Sequence, residues 1–311
     1  MRLLKILMNS ENMNVKKVIF IVGPTAIGKT SLSIELAKAL NTEIISCDSR
    51  QFYKELKIGT APPNKKELSE VRHHFIHNLS VSENYNAGQF ELDAIKLINN
   101  LHKKLDTVIV VGGSGLYIDA ICKGFDKLPN ISAKCRVDIN AKYKEKGLSW
   151  LQNKVKNIDP DFYNSCDKNN YQRLLRALEV YNETGKKISS YRSHQAKERP
   201  FEIVKIGLDM DREILYKRIN KRVDIMMENG LLEEAILLID YQQNNALQTV
   251  GYKEIFAFIN DECTLEEAVA NIKQNTRRFA KRQLTWFRKD LHTNWFESHQ
   301  INEIKKFISG L

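Results

Sequence analysis

One segment near the N-terminus constrains the fold more than any other. Lys16–Val22 is an apolar, β-branched run typical of a buried strand, and Thr30–Leu40 has the spacing of a helix. Between them, GPTAIGKT (residues 23–30) matches the pattern G-x-x-x-x-G-K-[ST]. Strand, glycine-rich loop and helix in this order predict a phosphate-binding loop at the start of an α/β domain.

The chemistry of this loop follows from its residue types. Its glycines let the backbone wrap around an anion, while consecutive N–H groups at the helix start point at phosphate oxygens. Lys29 adds a positive charge, and the Thr30 hydroxyl is a candidate ligand of Mg²⁺. The pattern fits a nucleotide such as ATP as well as a diphosphate ester. The predicted phosphate-binding residues are Gly23, Pro24, Thr25, Ala26, Ile27, Gly28, Lys29 and Thr30.

Strands and helices alternate after the loop. Glu43–Cys47, Thr107–Val111 and Glu202–Met210 are further buried-strand candidates, and Ala87–Lys104 has helical spacing. This alternation predicts a parallel sheet in a P-loop NTPase-like α/β core.

Two stretches of the chain are predicted to be helical instead. Residues 129–200 form polar helices and interrupt the α/β pattern, whereas 211–228, 231–243, 252–260 and 264–289 form a helical C-terminal region. We therefore divide the chain into an N-terminal extension (1–14), a core (15–128 and 201–311) and a helical insertion domain (129–200).

The positive charge is concentrated in two places. The net charge of +10 includes +7 in residues 129–200 and +7 in residues 273–289, whereas residues 201–272 carry −7. Such clustering favours an anionic partner that binds a defined surface, and solvated helix faces are the alternative.

The composition also limits where the protein acts. The five cysteines are scattered and form no C-x-x-C pair, which favours reduced thiols, as in the cytoplasm. No apolar run approaches the roughly 20 residues of a membrane-spanning helix. We expect a cytoplasmic protein without membrane contact.

A carboxylate follows the second predicted strand. Asp48 lies just past Glu43–Cys47, and ligands of open α/β sheets bind outside the carboxyl ends of strands. Asp48 is therefore a candidate metal ligand, general base or substrate anchor in the cleft of the phosphate loop. Position alone favours equally a helix cap or turn residue.

Seven motifs in order give the chain a specific resemblance. They are GPTAIGKT, SCDSRQFYK, IGTAPP, VVGGSGLY, QRLLRALEV, VGYKE and KRQLTWFR, and they span residues 23–288. In this order they resemble the tRNA dimethylallyltransferases of bacteria. These enzymes transfer a dimethylallyl group from dimethylallyl diphosphate to N6 of the adenosine 3′ of the anticodon.

The resemblance implies roles for individual residues. Residues 25–30 hold the diphosphate with Mg²⁺, so that Thr25 and Lys29 act in catalysis, and Asp48 is the general base at N6. An arginine of the segment RINKRV also contacts the diphosphate, with Arg222 the first choice and Arg218 the second. The implied partners are dimethylallyl diphosphate and the tRNA anticodon stem-loop. We expect a monomer with no obligate protein partner.

The resemblance also implies the RNA-contact residues. They are Asp48, Ser49, Arg50, Gln51, Ser114, Arg136, Gln172, Arg173, Leu174, Leu175, Arg176, Val250, Gly251, Tyr252, Lys253, Lys281, Arg282, Gln283 and Arg288. Without it, residues 172–176 fit an amphipathic helix with a solvated basic face. The aromatic residues of 273–289 share one helical face with Gln283, which predicts core packing more than base stacking.

Three other functions compete with tRNA prenylation. The phosphate loop alone favours a small-metabolite kinase, but two basic helical regions are unnecessary for a small substrate. Prenylation of free adenine nucleotides does not need the RNA-contact motifs. A non-catalytic RNA-binding protein does not need Lys29, Thr30 and Asp48 together.

Overall fold

The computed structural model describes residues 15–193 and 195–310 and divides into two compact units. Among these described residues, those up to Cys122 and from Glu198 onward form the first unit, and those of Lys123–Lys197 form the second. The expected insertion (129–200) thus begins and ends a few residues later than the second unit. The expected N-terminal extension (1–14) lies outside the described residues.

Six parallel strands form the sheet of the first unit. The strands are β1 (Lys17–Val22), β2 (Ile44–Ser46), β3 (His73–His74), β4 (Thr107–Gly112), β5 (Glu202–Asp209) and β6 (Thr293–Glu297), in the order β3-β2-β4-β1-β5-β6. β1 lies inside the sheet, between β4 and β5, and its side chains are buried on both faces. Because all six strands are parallel, their carboxyl ends lie along one edge of the sheet, beside the phosphate loop.

The helices account for most of the remaining structure. They are α1 (Lys29–Ala39), α2 (Lys65–Glu70), α3 (Ala87–Leu101), α4 (Gly115–Lys123), α5 (Ala133–Ile158), α6 (Pro160–Ser165), α7 (Tyr171–Thr184), α8 (Arg212–Glu228), α9 (Leu231–Ile236), α10 (Tyr252–Ile259), α11 (Leu265–Phe287) and α12 (Ile301–Ser309).

The predicted elements agree with these bounds in most places. The four predicted strands are confirmed as β1, β2, β4 and β5. The predicted helix over 231–243 is wrong in its second half, since the regular helix ends at Ile236 and only a short 3₁₀ turn, Ile239–Tyr241, follows. The expectations did not include β6 and α12.

The second unit has its own core. α5 and α7 pack together around Leu151, Val155 and Leu174, and α5 is interrupted at Gly147, where φ is +74°. The backbone N–H of Lys197 donates to the carbonyl of Lys123 at 2.8 Å, so the two ends of this unit are adjacent.

Two expectations from composition can be compared with the structure. All five cysteines are free thiols. Across residues 15–193 and 195–310, none of the helices combines the length and apolar character required to span a membrane.

Candidate active site

The phosphate loop occupies the turn between β1 and α1. Gly23 has φ of +147°, and a Cβ there would come within 2.9 Å of the Leu208 carbonyl oxygen in β5. Gly28, with φ of +106°, precedes the first residue of α1. Residues other than glycine rarely adopt such φ angles, so these two glycines allow the loop to turn tightly at the edge of the sheet.

Lys29 lies inside the loop rather than extending into solvent. Its Nζ donates to the carbonyl of Pro24 at 2.7 Å. Loss of hydration on burial lowers the pKa of Lys29 from 10.5 to about 7, nearby Asp48 acts in the opposite direction, and Arg222 lowers it further. A bound anion would reverse this effect by favouring the charged ammonium.

Both candidate arginines lie on α8, one turn apart, beside the loop. The Nη1 atom of Arg222 is 3.4 Å from Oγ1 of Thr25, and that of Arg218 is 3.5 Å from the carbonyl oxygen of Ile27. Arg222 lines the cavity described below together with Thr25 and Lys29. Of the two arginines, Arg222 is the one that lines this cavity.

Asp48 follows β2 and has two structural roles. Its Oδ1 accepts a hydrogen bond from the backbone N–H of Arg50 at 2.9 Å, which is the turn role considered from the sequence. The residue also lines the cavity that contains the phosphate loop. Asp48 is therefore both a turn residue and a residue of the cleft.

Neighbouring polar residues hold the segment after β2 in place. The backbone N–H of Ser49 donates to Oγ of Ser114 at 3.0 Å. Gln51 accepts from the Ser46 hydroxyl at 3.1 Å, and its Nε2 donates to the carbonyls of Thr60 and Ala61 at 3.3 and 3.2 Å. The turn that carries Asp48 is thus tied to two adjacent loops.

The cavity has two parts, of about 270 and 420 Å³, that share lining residues. The smaller part contains the phosphate loop and Lys29, whereas the larger part contains Arg50, Ser114 and Arg282. Both parts are lined by Thr25, Asp48, Thr60, Ala61, Arg222 and Phe279. We call the two parts the phosphate end and the outer end of one cleft.

An apolar wall borders the outer end. Val223 and Met226 of α8 and Ile272 and Phe279 of α11 line it. Phe279 is 37% exposed, so the expectation of core packing is wrong for this aromatic residue, although it holds for Phe287, which is 5% exposed. Sequence analysis did not predict this wall. Ile272 and Phe279 lie two turns apart on α11, and this spacing indicates that their side chains share one face of the helix.

Gln283 has a structural position instead of the expected RNA contact. It is 6% exposed; its Oε1 accepts from the N–H of Thr25 at 2.9 Å, and its Nε2 donates to the carbonyl of Gly113 at 2.9 Å. Both ends of the side-chain amide are therefore engaged. The assignment of Gln283 to RNA binding is corrected because its polar atoms hold the phosphate loop.

The other expected RNA-contact residues of the first unit include cleft-lining, buried and exposed residues. Val250, Gly251 and Lys253 line the outer end of the cleft. Tyr252 is fully buried, and its hydroxyl donates to Glu234 at 2.6 Å, so its side chain is not available to RNA. Arg288 is exposed and forms an ion pair with Asp209. Lys281 is also exposed and lies one residue before Arg282 on α11.

In the second unit, exposure separates the expected residues. Arg136, Gln172 and Arg173 are exposed, whereas Leu174 and Leu175 are 0% and 7% exposed and belong to the core of the unit. These two leucines are therefore corrected to packing residues. Arg176 is partly buried and donates to the carbonyl of Pro129 at 3.2 Å.

Residues 72–77 contain three histidines close together in sequence. His73–His74 form β3. In the part of the chain that the structure describes, no group of three His, Cys, Asp or Glu side chains is placed to hold a metal ion. His73 lines the phosphate end, as does Glu67. Sequence analysis did not predict these two cleft residues, because they belong to different elements, α2 and β3, and come together only when the chain turns between them.

Comparisons with known proteins show the family to which the chain belongs. Residues 51–290 match the family described as IPP transferase. The chain is 53% identical to the tRNA dimethylallyltransferase of Christiangramia forsetii over 90% of this chain and 93% of that protein. It is 50% identical to the enzyme of the same name from Flavobacterium johnsoniae, over 94% and 97%.

Solved structures give the same similarity. The tRNA isopentenylpyrophosphate transferase of Bacillus halodurans superposes with a TM-score of 0.71 at 39% identity, covering 95% of this chain and 96% of that one. A eukaryotic dimethylallyltransferase that acts on tRNA superposes with a TM-score of 0.77 at 28% identity, covering 95% and 80%.

Proposed function

The chain belongs to the IPP transferase family and is a prenyltransferase, and we propose that it transfers a dimethylallyl group from dimethylallyl diphosphate to N6 of the adenosine 3′ of the tRNA anticodon. One observation carries the proposal. A single cleft combines a phosphate loop, a carboxylate at the junction of its two ends and an apolar wall. Diphosphate, reacting nitrogen and prenyl chain each have a matching surface there.

The phosphate end is suited to the leaving group. As the allylic C–O bond breaks, negative charge develops on the diphosphate, and preorganised donors stabilise it in a site shielded from water. The loop N–H groups, Lys29 and Arg222 supply those donors, and the Thr25 hydroxyl lies 3.4 Å from the Arg222 guanidinium. We assign Thr25, Lys29 and Arg222 to catalysis on this basis.

The donor set at this end fits Mg²⁺. The hydroxyl of Thr30 and the carboxylates of Asp48 and Glu67 line it, and oxygen atoms are the ligands that Mg²⁺ prefers. We propose that Thr30 holds the ion, with substrate oxygens completing the ligand set. When bound, the ion would neutralise charge on the diphosphate.

Asp48 is positioned for the proton transfer. The exocyclic amine of adenine is a poor nucleophile because its lone pair is delocalised into the ring. As the N–C bond forms and the C–O bond breaks, N6 loses a proton, and we propose that the Asp48 carboxylate accepts it. Its place at the junction of the phosphate and outer ends supports this role.

The apolar wall suits the five-carbon chain of the donor. Val223, Met226, Ile272 and Phe279 offer an apolar surface. A dimethylallyl chain that packs on it would displace water, which would otherwise attack an allylic, cation-like centre. We propose that the dimethylallyl group lies against these side chains, between the phosphate loop and Asp48.

The proposed RNA contacts belong to the cleft, to exposed positions at and just after the end of α11, and to the second unit. The target adenosine must leave its stack to enter a closed cleft. After the burial of four expected residues (Leu174, Leu175, Tyr252 and Gln283) is taken into account, the residues that keep a proposed contact are Asp48, Ser49, Arg50, Gln51, Ser114, Arg136, Gln172, Arg173, Arg176, Val250, Gly251, Lys253, Lys281, Arg282 and Arg288. A monomer acting in the cytoplasm, on anticodon stem-loops, stays our prediction.

One assay tests the proposal. The protein is incubated with Mg²⁺, labelled dimethylallyl diphosphate and an anticodon stem-loop bearing consecutive adenosines 3′ of the anticodon. A stem-loop with guanosine at the target position is the matched control. We expect label only on the first RNA. Label on free AMP but not on RNA would contradict tRNA prenylation, as would phosphate transfer from ATP to a metabolite.

A further inference from the structure

The carboxylate of Glu234 on α9 accepts hydrogen bonds from three consecutive backbone N–H groups. Oε2 accepts from Lys57 at 2.8 Å and from Ile58 at 2.9 Å, and Oε1 accepts from Gly59 at 3.1 Å. Hydrogen bonds to an ionised acceptor are stronger than those between neutral groups. This one side chain therefore fixes the backbone of a loop far from it in sequence.

The same carboxylate also binds Tyr252. The tyrosine hydroxyl donates to Oε1 of Glu234 at 2.6 Å, and burial raises the pKa of Tyr252, so that it remains a proton donor. The ring packs directly against Gly59, where a Cβ would come within 2.6 Å of it. Glu234 thus joins the loop at Gly59 to the start of α10.

Both joined segments continue into the wall of the cleft. Gly59, Thr60 and Ala61 line the outer end on one side, and Gly251 and Lys253 line it next to Tyr252. Gln51 holds the carbonyls of Thr60 and Ala61, so the loop is anchored at both ends.

We propose that Glu234 is a positioning residue that sets the gap between the loop at Gly59–Ala61 and the start of α10, the gap through which the target adenosine enters. The inference rests on the proposed function, because it assigns the outer end to RNA. Glu234 acts through its four donors and does not itself touch the reacting atoms. Loss of its charge would leave backbone N–H groups poorly paired and allow the loop to shift.

Two variants test this role with different severity. Glu234→Gln keeps the size of the side chain but replaces one acceptor oxygen with a donor amide. Tyr252→Phe removes only the hydroxyl and keeps the ring under Gly59. We expect Glu234→Gln to raise KM for the anticodon stem-loop about tenfold and Tyr252→Phe about threefold, with KM for dimethylallyl diphosphate within about twofold of wild type. The double variant should differ little from Glu234→Gln alone, because both changes affect one network.

The controls separate the possible outcomes. Glu233→Gln, at the exposed neighbouring position on α9, should match wild type. If wild type transfers no label to RNA, the proposed function fails and this inference fails with it. If wild type is active, the inference alone is wrong in two cases: KM for RNA stays unchanged in both variants, or KM for both substrates rises equally as the melting temperature falls.

Discussion

The side-chain amide oxygen of Gln283 accepts a hydrogen bond from the backbone N–H of Thr25 at 2.9 Å, and so connects α11 to the phosphate loop. The amide nitrogen donates to the carbonyl of Gly113 beyond β4. The shape of the phosphate loop therefore depends on a residue that is distant in sequence and almost completely buried.

Gln283→Glu should weaken diphosphate binding by at least about tenfold. The change removes the donor to Gly113 and adds a negative charge beside the anion site, where like charges repel. Titration calorimetry with inorganic diphosphate measures the effect. Gln274→Glu, at an exposed position of the same helix, adds the same charge away from the loop and should bind normally. Equal affinities of the two variants would contradict the role of Gln283.

Lys29 should make diphosphate binding pH-dependent. Its pKa in the free protein is about 7, so it is charged below pH 7 and loses its proton above it. Bound diphosphate raises that pKa, so binding above pH 7 takes up a proton, and the affinity falls by up to about tenfold per pH unit. Calorimetry at pH 8 in buffers of different ionisation enthalpy measures the uptake. Lys29→Arg stays charged at this pH, and uptake equal to that of wild type would contradict the assignment to Lys29.

Asp48→Asn should lower kcat by at least about 100-fold while diphosphate affinity stays near that of wild type. The amide keeps an oxygen for the Arg50 N–H but cannot accept the proton from N6. Single-turnover transfer to the stem-loop measures the chemical step. A variant that turns over at the wild-type rate would remove Asp48 from the base role.

The two arginines of α8 should differ in their effects. Arg222→Lys should reduce kcat/KM for dimethylallyl diphosphate by about 10- to 100-fold, because lysine cannot reproduce the guanidinium geometry beside Thr25. Arg218→Lys should cost less than about threefold, since Arg218 reaches only the Ile27 carbonyl. The reverse order of effects would assign the diphosphate contact to Arg218.

Exposed arginines should govern the salt dependence of RNA binding. Arg173→Gln in the second unit and Arg282→Gln at the outer end should each weaken stem-loop binding and reduce the slope of log K against log salt by about 0.7 to 1. Filter binding over a series of KCl concentrations measures the slope. Lys103→Gln, on an exposed basic residue remote from the proposed contacts, serves as the control.

The sequence predicted the phosphate end better than the outer end for a physical reason. The phosphate loop is a local structure, so residues 23–30 specify the fold of their own backbone. Val223, Met226 and Phe279 come together only when α8 and α11 pack, and neither helix alone indicates a cleft. The helical spacing of residues 172–176 indicates that Leu174 is buried. It was predicted to contact RNA because the resemblance to the family was given more weight than this spacing.

Long-range polar contacts were also beyond sequence reasoning. Glu234 belongs to the acidic region of residues 201–272, and nothing in its sequence context indicates that its carboxylate binds the loop at Gly59. β6 escaped prediction because it is short and lies at the edge of the sheet, where Thr293–Glu297 has only one strand neighbour to favour apolar residues.

The hydrogen bond between the N–H of Lys197 and the carbonyl of Lys123 has a consequence for folding kinetics. β1 must pair with both β4 and β5, which are separated in sequence by the whole second unit. If that unit folds first, its adjacent ends shorten the effective loop between β4 and β5 to little more than the segments that flank it. The entropy of closing the sheet is then that of a short connection, and the contact order of the core falls accordingly.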